Sequence, residues 1–196
     1  LAPERVVGGI AYISGEVPEP GLIRHTEGLR FPLGEPSGQR TKRARRLSEA
    51  LIAGGLKAPI RPDVRHELWV KLMGNAVYNP LSALTGATMR AMLDDPPVYE
   101  VMRRAMNEAI ETAAAAGVRI AFSAEKRLEG SRAAGEHKTS MLQDLEAGRA
   151  PELDPITGAV IELARARHVP APTLETIYAA AKLLFETRSQ QAKRSD

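Results

Sequence analysis

Apolar and polar positions alternate differently in the first 58 residues than in the rest of the chain. Over residues 1–36, short apolar and β-branched runs are separated by proline and glycine clusters, which is typical of strands joined by turns. The stretch GQRTKRARRLSEALIAGG then predicts a helix that the glycine pair 54–55 ends. Its apolar stripe would consist of Leu47, Leu51 and Ile52. We therefore expect an antiparallel β segment followed by one helix.

After APIRPD, apolar residues recur at helical spacing and strand signals almost disappear. The first of five helical patterns follows Asp63 as a plausible N-cap and runs to about Leu84. The second carries an apolar stripe of valine, methionine, alanine and isoleucine and ends at Gly117. The pattern thus predicts a mainly α chain. The other three helical patterns are a less regular stretch at 123–147, a helix with Asp154 as cap and Pro155 in its first turn, and a last helix from Thr173.

Composition narrows the function classes. Of the 196 residues, 43% are hydrophobic and 26% are charged, which is ordinary for a globular protein. The net charge of +3 is too small to indicate a nucleic-acid partner, but it suits a small anionic substrate. The chain has no cysteine and its four histidines are scattered, so we expect no disulfide and no metal site. No apolar run approaches the ~18 residues of a membrane span, and the composition is consistent with a cytoplasmic protein.

The first long helix carries an unusual polar stripe. In ELWVKLMGNAVYNPLSAL, at residues 67–84, Asn75 lies about 40°, Asn79 about 80° and Ser82 about 20° from Lys71 around a helical wheel. Asparagine costs roughly 0.7 kcal/mol and Pro80 about 3 kcal/mol relative to alanine in a helix interior. Because the carboxamide is suited to holding a carboxylate or hydroxyl group, the stripe favours a binding site. The structural alternative is a surface ion pair of Lys71 with Glu67, four residues earlier, together with asparagines that bridge helix backbones.

Two stretches resemble the ketopantoate reductase family. Residues 67–84 are similar to its signature of a tryptophan, a lysine two positions on, an asparagine four later and Asn-Pro-Leu-x-Ala. KTSMLQDLEAGRAPELDPITG, at residues 138–158, resembles its Ser-Ser-Met-x-Gln-Asp segment with a following Glu-x-Asp and glycine. VPEPGLIRH and LRFPLGEP add a weaker likeness. The matching segments follow the family order over nearly the whole chain.

The resemblance implies a fold and an activity. Residues 59–196 would form an all-helical substrate domain similar to the C-terminal domain of 6-phosphogluconate dehydrogenase. Residues 1–58 would be the last α/β portion of a Rossmann-type domain that binds NADP. Family members use NADPH to reduce 2-dehydropantoate to (R)-pantoate, a step towards pantothenate and coenzyme A. We therefore expect an oxidoreductase with a small 2-oxo acid as its substrate. A homodimer is one candidate assembly.

The same resemblance implies residue roles. Lys71 matches the general acid that protonates the developing alkoxide. Asn75, Asn79 and Ser140 match substrate-binding residues, and Glu152 matches the glutamate that contacts the cofactor. By itself, Ser140 would be interpreted as a helix N-cap and Glu152 as an exposed acid.

The chain departs from the family pattern at several positions. Thr139 replaces the first serine of the pair, Pro151 precedes Glu152 where threonine is common, and TGATMRAML lacks a further family asparagine. A related 2-oxo acid is therefore an alternative substrate. The chain contains no Gly-x-Gly-x-x-Gly after a strand, the fingerprint that binds a pyrophosphate. Since the chain starts at Leu1 with strand-like sequence, we expect an N-terminal portion to be missing and the chain alone to be inactive.

Two other functions are open to test. The helical part could be a non-catalytic binding or oligomerisation module derived from the same family. The run QRTKRARR, at residues 39–46, carries five basic residues and could contact phosphate groups. It has no interleaved aromatic residues, so a solvated helix face is the better interpretation, and we expect no nucleic-acid partner.

Overall fold

The chain forms two compact units. A computed structural model describes residues 2–195, with the side chains of residue 3 and residues 192–195 left out. The units are Leu1–Trp69 and Val70–Asp196, so the division falls within a helix. The domain boundary that composition indicates, between residues 58 and 59, stays a prediction. None of the helices in the described part of the chain combines the length and hydrophobicity needed to cross a bilayer.

Short antiparallel strands begin the first unit. The pair β1 (Gly8–Gly9) and β4 (Leu33–Gly34) forms one ladder. Strands β2 (Tyr12–Glu19) and β3 (Leu22–Arg30) form a hairpin whose register shifts several times. The antiparallel β segment predicted from the turn residues is thus confirmed.

A parallel crossover follows these strands. The helix α1 (Lys42–Ala53) leads the chain back beside the preceding strands, where parallel bridges join Arg30 to Lys57 and Leu33 to Ile60. A strand, a helix and a parallel return form the β-α-β connection of α/β folds. The α/β character expected for the first part of the chain is therefore present.

The face of α1 that is buried differs from the predicted stripe. Leu51 packs against the core, but Leu47 is 42% exposed and Ile52 is 54% exposed. Instead, Ser48 and Ala44, one turn before it, are the buried residues of the helix. The Ser48 hydroxyl donates to the carbonyl oxygen of Ala58 at 2.6 Å. The prediction was wrong because small residues, not the largest apolar ones, bring this helix close to the strands.

A buried carboxylate ties the start of α1 to β4. Glu35 is only 3% exposed and accepts hydrogen bonds from Arg43, at 2.7 Å from Nε and 2.5 Å from Nη2, and from the Thr41 hydroxyl. The Arg43 guanidinium and then the Thr41 hydroxyl lower the pKa of Glu35 to about 2. Thr41 also accepts from the backbone N–H of Ala44 as the N-cap of the helix. The carboxylate therefore stays ionised at neutral pH, despite its burial, because the guanidinium is its partner.

Helices make up the second unit, and they confirm the mainly α fold class. The first of them, α2, begins in the first unit, and α8 begins at the residue before the predicted Thr173. Between α6 and α7 the backbone forms a π-helical segment at Asp154–Gly158. The helices are α2 (Val64–Thr85), α3 (Met89–Asp94), α4 (Pro96–Ala115), α5 (Ala124–Gly130), α6 (Ser140–Glu146), α7 (Ala159–Ala166) and α8 (Pro172–Ser195).

Local capping explains where the two longest predicted patterns begin. Asp63 accepts from the backbone N–H of His66 at 2.9 Å, which confirms it as the cap of α2. Asp95 accepts from Val98 at 2.9 Å and is followed by prolines in the first turn of α4. Four residues of the predicted apolar stripe of α4 are buried, two are half-buried and Val101 is 37% exposed. Gly117 takes a positive φ of 82° just beyond the helix end. The helix and its end are therefore confirmed, whereas its buried stripe is confirmed only for the methionines and alanines.

Three details of the later helices were not predicted correctly. Asp154 is not a cap but the first residue of the π-helical segment, and its carboxylate accepts from the Tyr178 hydroxyl at 2.6 Å. The cap of α6 is Thr139, whose hydroxyl accepts from Leu142, so Ser140 is the first helical residue and not the cap. The short helix α3, which Thr88 caps, was not predicted at all. For Asp154 and Ser140, the role of the side chain depends on tertiary packing, which the local sequence does not show.

Candidate functional site

The polar stripe of α2 lies on a largely buried helix. Lys71 and Asn75 are half-buried, and Asn79 is 5% exposed. Ser82 is fully buried and donates to the carbonyl oxygen of Ala87 at 2.7 Å, just beyond the helix end. Ser82 therefore has a structural role. The candidate binding groups of α2 are Lys71, Asn75 and Asn79.

Burial changes the acidity of Lys71. Desolvation lowers the pKa of its ammonium group below the ordinary value for lysine. An amine whose pKa is closer to neutrality releases its proton more readily. The lysine is thus suited to donate a proton to a bound molecule.

Asn79 has an amide nitrogen without a partner. Its Nδ2 atom is buried and makes no hydrogen bond to any group in the described part of the chain. A buried donor that is left unpaired costs about 1–3 kcal/mol. The alternative in which this nitrogen bridges helix backbones therefore fails, and the group is available to a ligand. A buried donor of this kind needs an explanation, and a ligand that accepts its hydrogen bond is one.

Ser140 and Glu152 lie on segments that converge on the second half of α2. Both side chains are exposed, Ser140 at the start of α6 and Glu152 in the connection that follows it. The residue after each of them, Met141 and Leu153, packs in one hydrophobic cluster with Ala83 of α2. The cluster brings the backbone segments together, although neither exposed side chain makes a hydrogen bond to Asn75 or Asn79 among the described residues.

Arg127, which was not predicted from the sequence, contacts the backbone of α2. Arg127 of α5 directs Nη2 at the carbonyl oxygen of Val70, at 3.5 Å, and Nη1 at the Ser131 hydroxyl, at 3.3 Å. The Ser131 hydroxyl also bonds to Tyr78, at 3.0 Å. A Cβ atom on Gly74 would lie 2.9 Å from Nη2, so the glycine leaves room for the guanidinium. The glycine in mid-helix was the signal that could have indicated this close approach.

Metal ligation has no support in this arrangement. Within the residues that the structure describes, no three histidine, aspartate or glutamate side chains gather where they could hold an ion. The chemical groups of the site are therefore an ammonium, two carboxamides, a hydroxyl and a carboxylate.

A comparison with protein-family models decides the family. Residues 63–185 match the family model described as "Ketopantoate reductase PanE/ApbA C terminal". The chain belongs to the ketopantoate reductase family. The resemblance inferred from the two sequence motifs is thus confirmed, and Lys71, Asn75, Asn79, Ser140 and Glu152 all lie within the matched range.

Individual ketopantoate reductase relatives agree with this assignment. A 2-dehydropantoate 2-reductase of Mesorhizobium japonicum is 47% identical over 96% of this chain and 58% of its own length. The crystal structure of 2-dehydropantoate 2-reductase from Methylococcus capsulatus is 32% identical, with a TM-score of 0.87 over 94% of this chain and 64% of that one. D-mandelate dehydrogenase in complex with NADH shares the fold at 18% identity, with a TM-score of 0.87 over 95% of this chain and 65% of that one. The chain thus spans a little over half to about two thirds of the length of these proteins.

Proposed function

We propose that this protein reduces 2-dehydropantoate, or a related 2-oxo acid, to the 2-hydroxy acid with NADPH as the hydride donor. The observation that carries the proposal is the buried, unpaired amide nitrogen of Asn79 two turns after the half-buried Lys71. The assignment of the relatives as 2-dehydropantoate 2-reductases supports the choice of substrate.

Each polar group of α2 has a role in this proposal. The Lys71 ammonium stabilises negative charge on the carbonyl oxygen of the substrate and then donates a proton to it. Asn75 and Asn79 hold the carboxylate or hydroxyl of the substrate, with the Nδ2 of Asn79 as a donor. Ser140 adds a hydroxyl from the start of α6. The lowered pKa of Lys71 favours the proton transfer.

Glu152 is the residue of this chain that fits a nicotinamide cofactor. Its carboxylate is exposed and forms no ion pair within the described residues, so it can accept hydrogen bonds from hydroxyl or amide groups of NADPH. When bound, NADPH supplies the hydride, and the residues of this chain orient the substrate and deliver the proton. The preference for NADPH over NADH follows from the family resemblance and is part of the proposal.

The test is oxidation of NADPH by the natural full-length protein with a panel of 2-oxo acids. One acid should be preferred, and Lys71→Ala should lower kcat on that acid by roughly 10²- to 10⁴-fold, the usual contribution of a general acid. Glu152→Ala should mainly raise the KM for NADPH. Lys126→Ala, at an exposed lysine of α5, is the matched control and should leave both constants unchanged.

Two results would contradict the proposal. Unchanged rates in Lys71→Ala and Glu152→Ala would contradict the roles assigned to these two residues. Binding of pantoate and NADPH without turnover of any 2-oxo acid would favour the non-catalytic module instead. The cytoplasmic location, a place in pantothenate biosynthesis and a homodimer stay predictions.

A further inference from the structure

Pro80 interrupts the hydrogen-bond pattern of α2. In an α-helix, the carbonyl oxygen of Ala76 would accept from the backbone N–H of residue 80, and proline has none. The helix nevertheless continues to Thr85, and Ala76 and Pro80 are both buried. A buried carbonyl that loses its regular donor needs another one.

Thr157 supplies a donor from a distant part of the chain. Its hydroxyl donates to the carbonyl oxygen of Ala76 at 3.1 Å, across 81 residues of sequence, and the threonine is fully buried. Valine has nearly the same shape as threonine but has no hydroxyl, so packing alone would not require threonine here. The bond therefore acts on the backbone of α2 between Asn75 and Asn79.

The element that carries Thr157 is held next to α2 at two points. It is the π-helical segment Asp154–Gly158, in which the N–H of Ala159 bonds to the carbonyl oxygen of Asp154, and π-helical turns are frequent at functional sites. The residue just before it, Leu153, packs with Ala83 of α2. The segment and the leucine before it therefore contact α2 on both sides of Pro80, and Glu152 lies two residues before the segment begins.

We propose that Thr157 is a positioning residue whose hydroxyl replaces the backbone donor that Pro80 lacks and thereby fixes Asn75, Asn79 and Glu152 relative to one another. The inference rests on the proposed function for its catalytic consequence. Its geometric part stands on the bond to Ala76 and can be tested without turnover. Loss of the hydroxyl would leave a buried carbonyl without its donor and would let the two segments shift.

The experiment compares Thr157→Val and Thr157→Ser, each alone and combined with Pro80→Ala. NADPH oxidation with the preferred 2-oxo acid should show kcat lowered roughly tenfold in Thr157→Val, since small displacements at a site can be that costly. The KM should change less, and Thr157→Ser should restore kcat to within about twofold. Because Pro80→Ala restores a backbone donor for Ala76, the melting temperature should fall less on Thr157→Val in that background than in the wild type.

Side-chain amide signals in NMR spectra provide a readout that needs no substrate. The 196 residues contain three asparagines, Asn75, Asn79 and Asn107, which single substitutions by aspartate assign. Thr157→Val should shift the signals of Asn75 and Asn79, Asn107 on α4 should stay fixed, and Thr157→Ser should return the signals to their places. Unmoved signals, or an equal loss of melting temperature in both backgrounds, would overturn the inference. An inactive wild type would overturn the proposed function alone, because the amide signals still decide the role of Thr157.

Discussion

At the scale of single residues, the sequence indicates the chemical groups of the site more clearly than the residues that hold those groups in place. Lys71, Asn75 and Asn79 can be grouped from the 3.6-residue period, because one helix fixes their relative directions. The unpaired nitrogen of Asn79 cannot be foreseen, since it depends on what the rest of the fold does not offer. The role of Thr157 could not be predicted from the sequence for a similar reason. Pro80 indicates that a donor is needed, but no local pattern indicates which distant residue provides it.

The lowered pKa of Lys71 gives a prediction for the pH dependence of activity. A general acid must be protonated, so kcat should fall as pH rises through the pKa of the ammonium group. Because burial lowers that pKa, the alkaline limb should appear at lower pH than an exposed lysine would give. Rates measured from pH 6 to 11 check this. Lys71→Arg should lose the limb, because a guanidinium stays charged throughout the range.

The same titration has a consequence for stability, with a definite sign. The unfolded chain holds the Lys71 proton more tightly than the folded one, so the contribution of this group to stability rises with pH. The rise should lie between the lowered pKa of the folded state and the ordinary pKa of the unfolded state. For the activity prediction, an alkaline limb of kcat at the pH where an exposed lysine titrates would contradict the assignment of Lys71 as the general acid.

At the scale of elements, periodicity predicted which helices exist, and packing decided their faces and ends. The middle of the α4 stripe was predicted correctly because its methionines and alanines share one face with the core, whereas Val101 of the same predicted stripe is 37% exposed. The stripe of α1 was wrong, since Leu47 and Ile52 compete with smaller residues that allow a closer approach. The π-helical segment could not be foreseen, because its extra residue per turn leaves no signature in the spacing of apolar positions.

The start of α8 depends on a side chain of another helix. The carboxylate of Glu108, on α4, accepts from the backbone N–H of Thr173 at 2.9 Å and of Leu174 at 2.8 Å. It satisfies two donors of the first turn and places negative charge at the positive end of the helix dipole. The two helices are therefore fixed to each other by a cap that lies 65 residues away in sequence from Thr173.

Glu108→Ala should destabilise the protein by about 1–2 kcal/mol, the usual cost of losing a good N-cap. Glu108→Gln should cost less, because the amide oxygen can still accept one bond although the charge is lost. Urea unfolding followed by circular dichroism measures both. Glu111→Ala is the matched control, since this exposed glutamate lies on the same helix, and it should change the free energy of unfolding little. Equal effects at the two positions would contradict the cap.

At the scale of the whole molecule, the mainly α fold and the family could be predicted from the sequence. Two long motifs with rare residue combinations carry the family, and both lie within residues 63–185, which match the family model. The distribution of burial could not be predicted, since it depends on which surfaces meet. The β2–β3 hairpin, at residues 12–30, contains no buried side chain, whereas α4 contains six buried residues.

This contrast predicts a wide range of local stability within the chain. Backbone amides open most readily where few apolar contacts hold them, so amides of the hairpin should exchange with solvent roughly 100-fold faster or more than those in the middle of α4. Hydrogen–deuterium exchange with mass spectrometry compares the two segments in one experiment.

Met106→Ala, at a fully buried side chain of α4, should lower the free energy of unfolding by about 2–5 kcal/mol and speed exchange throughout the second unit. Ile23→Ala, at a side chain of β3 that is 78% exposed, should change neither. Slow exchange in the hairpin would contradict the predicted range of local stability.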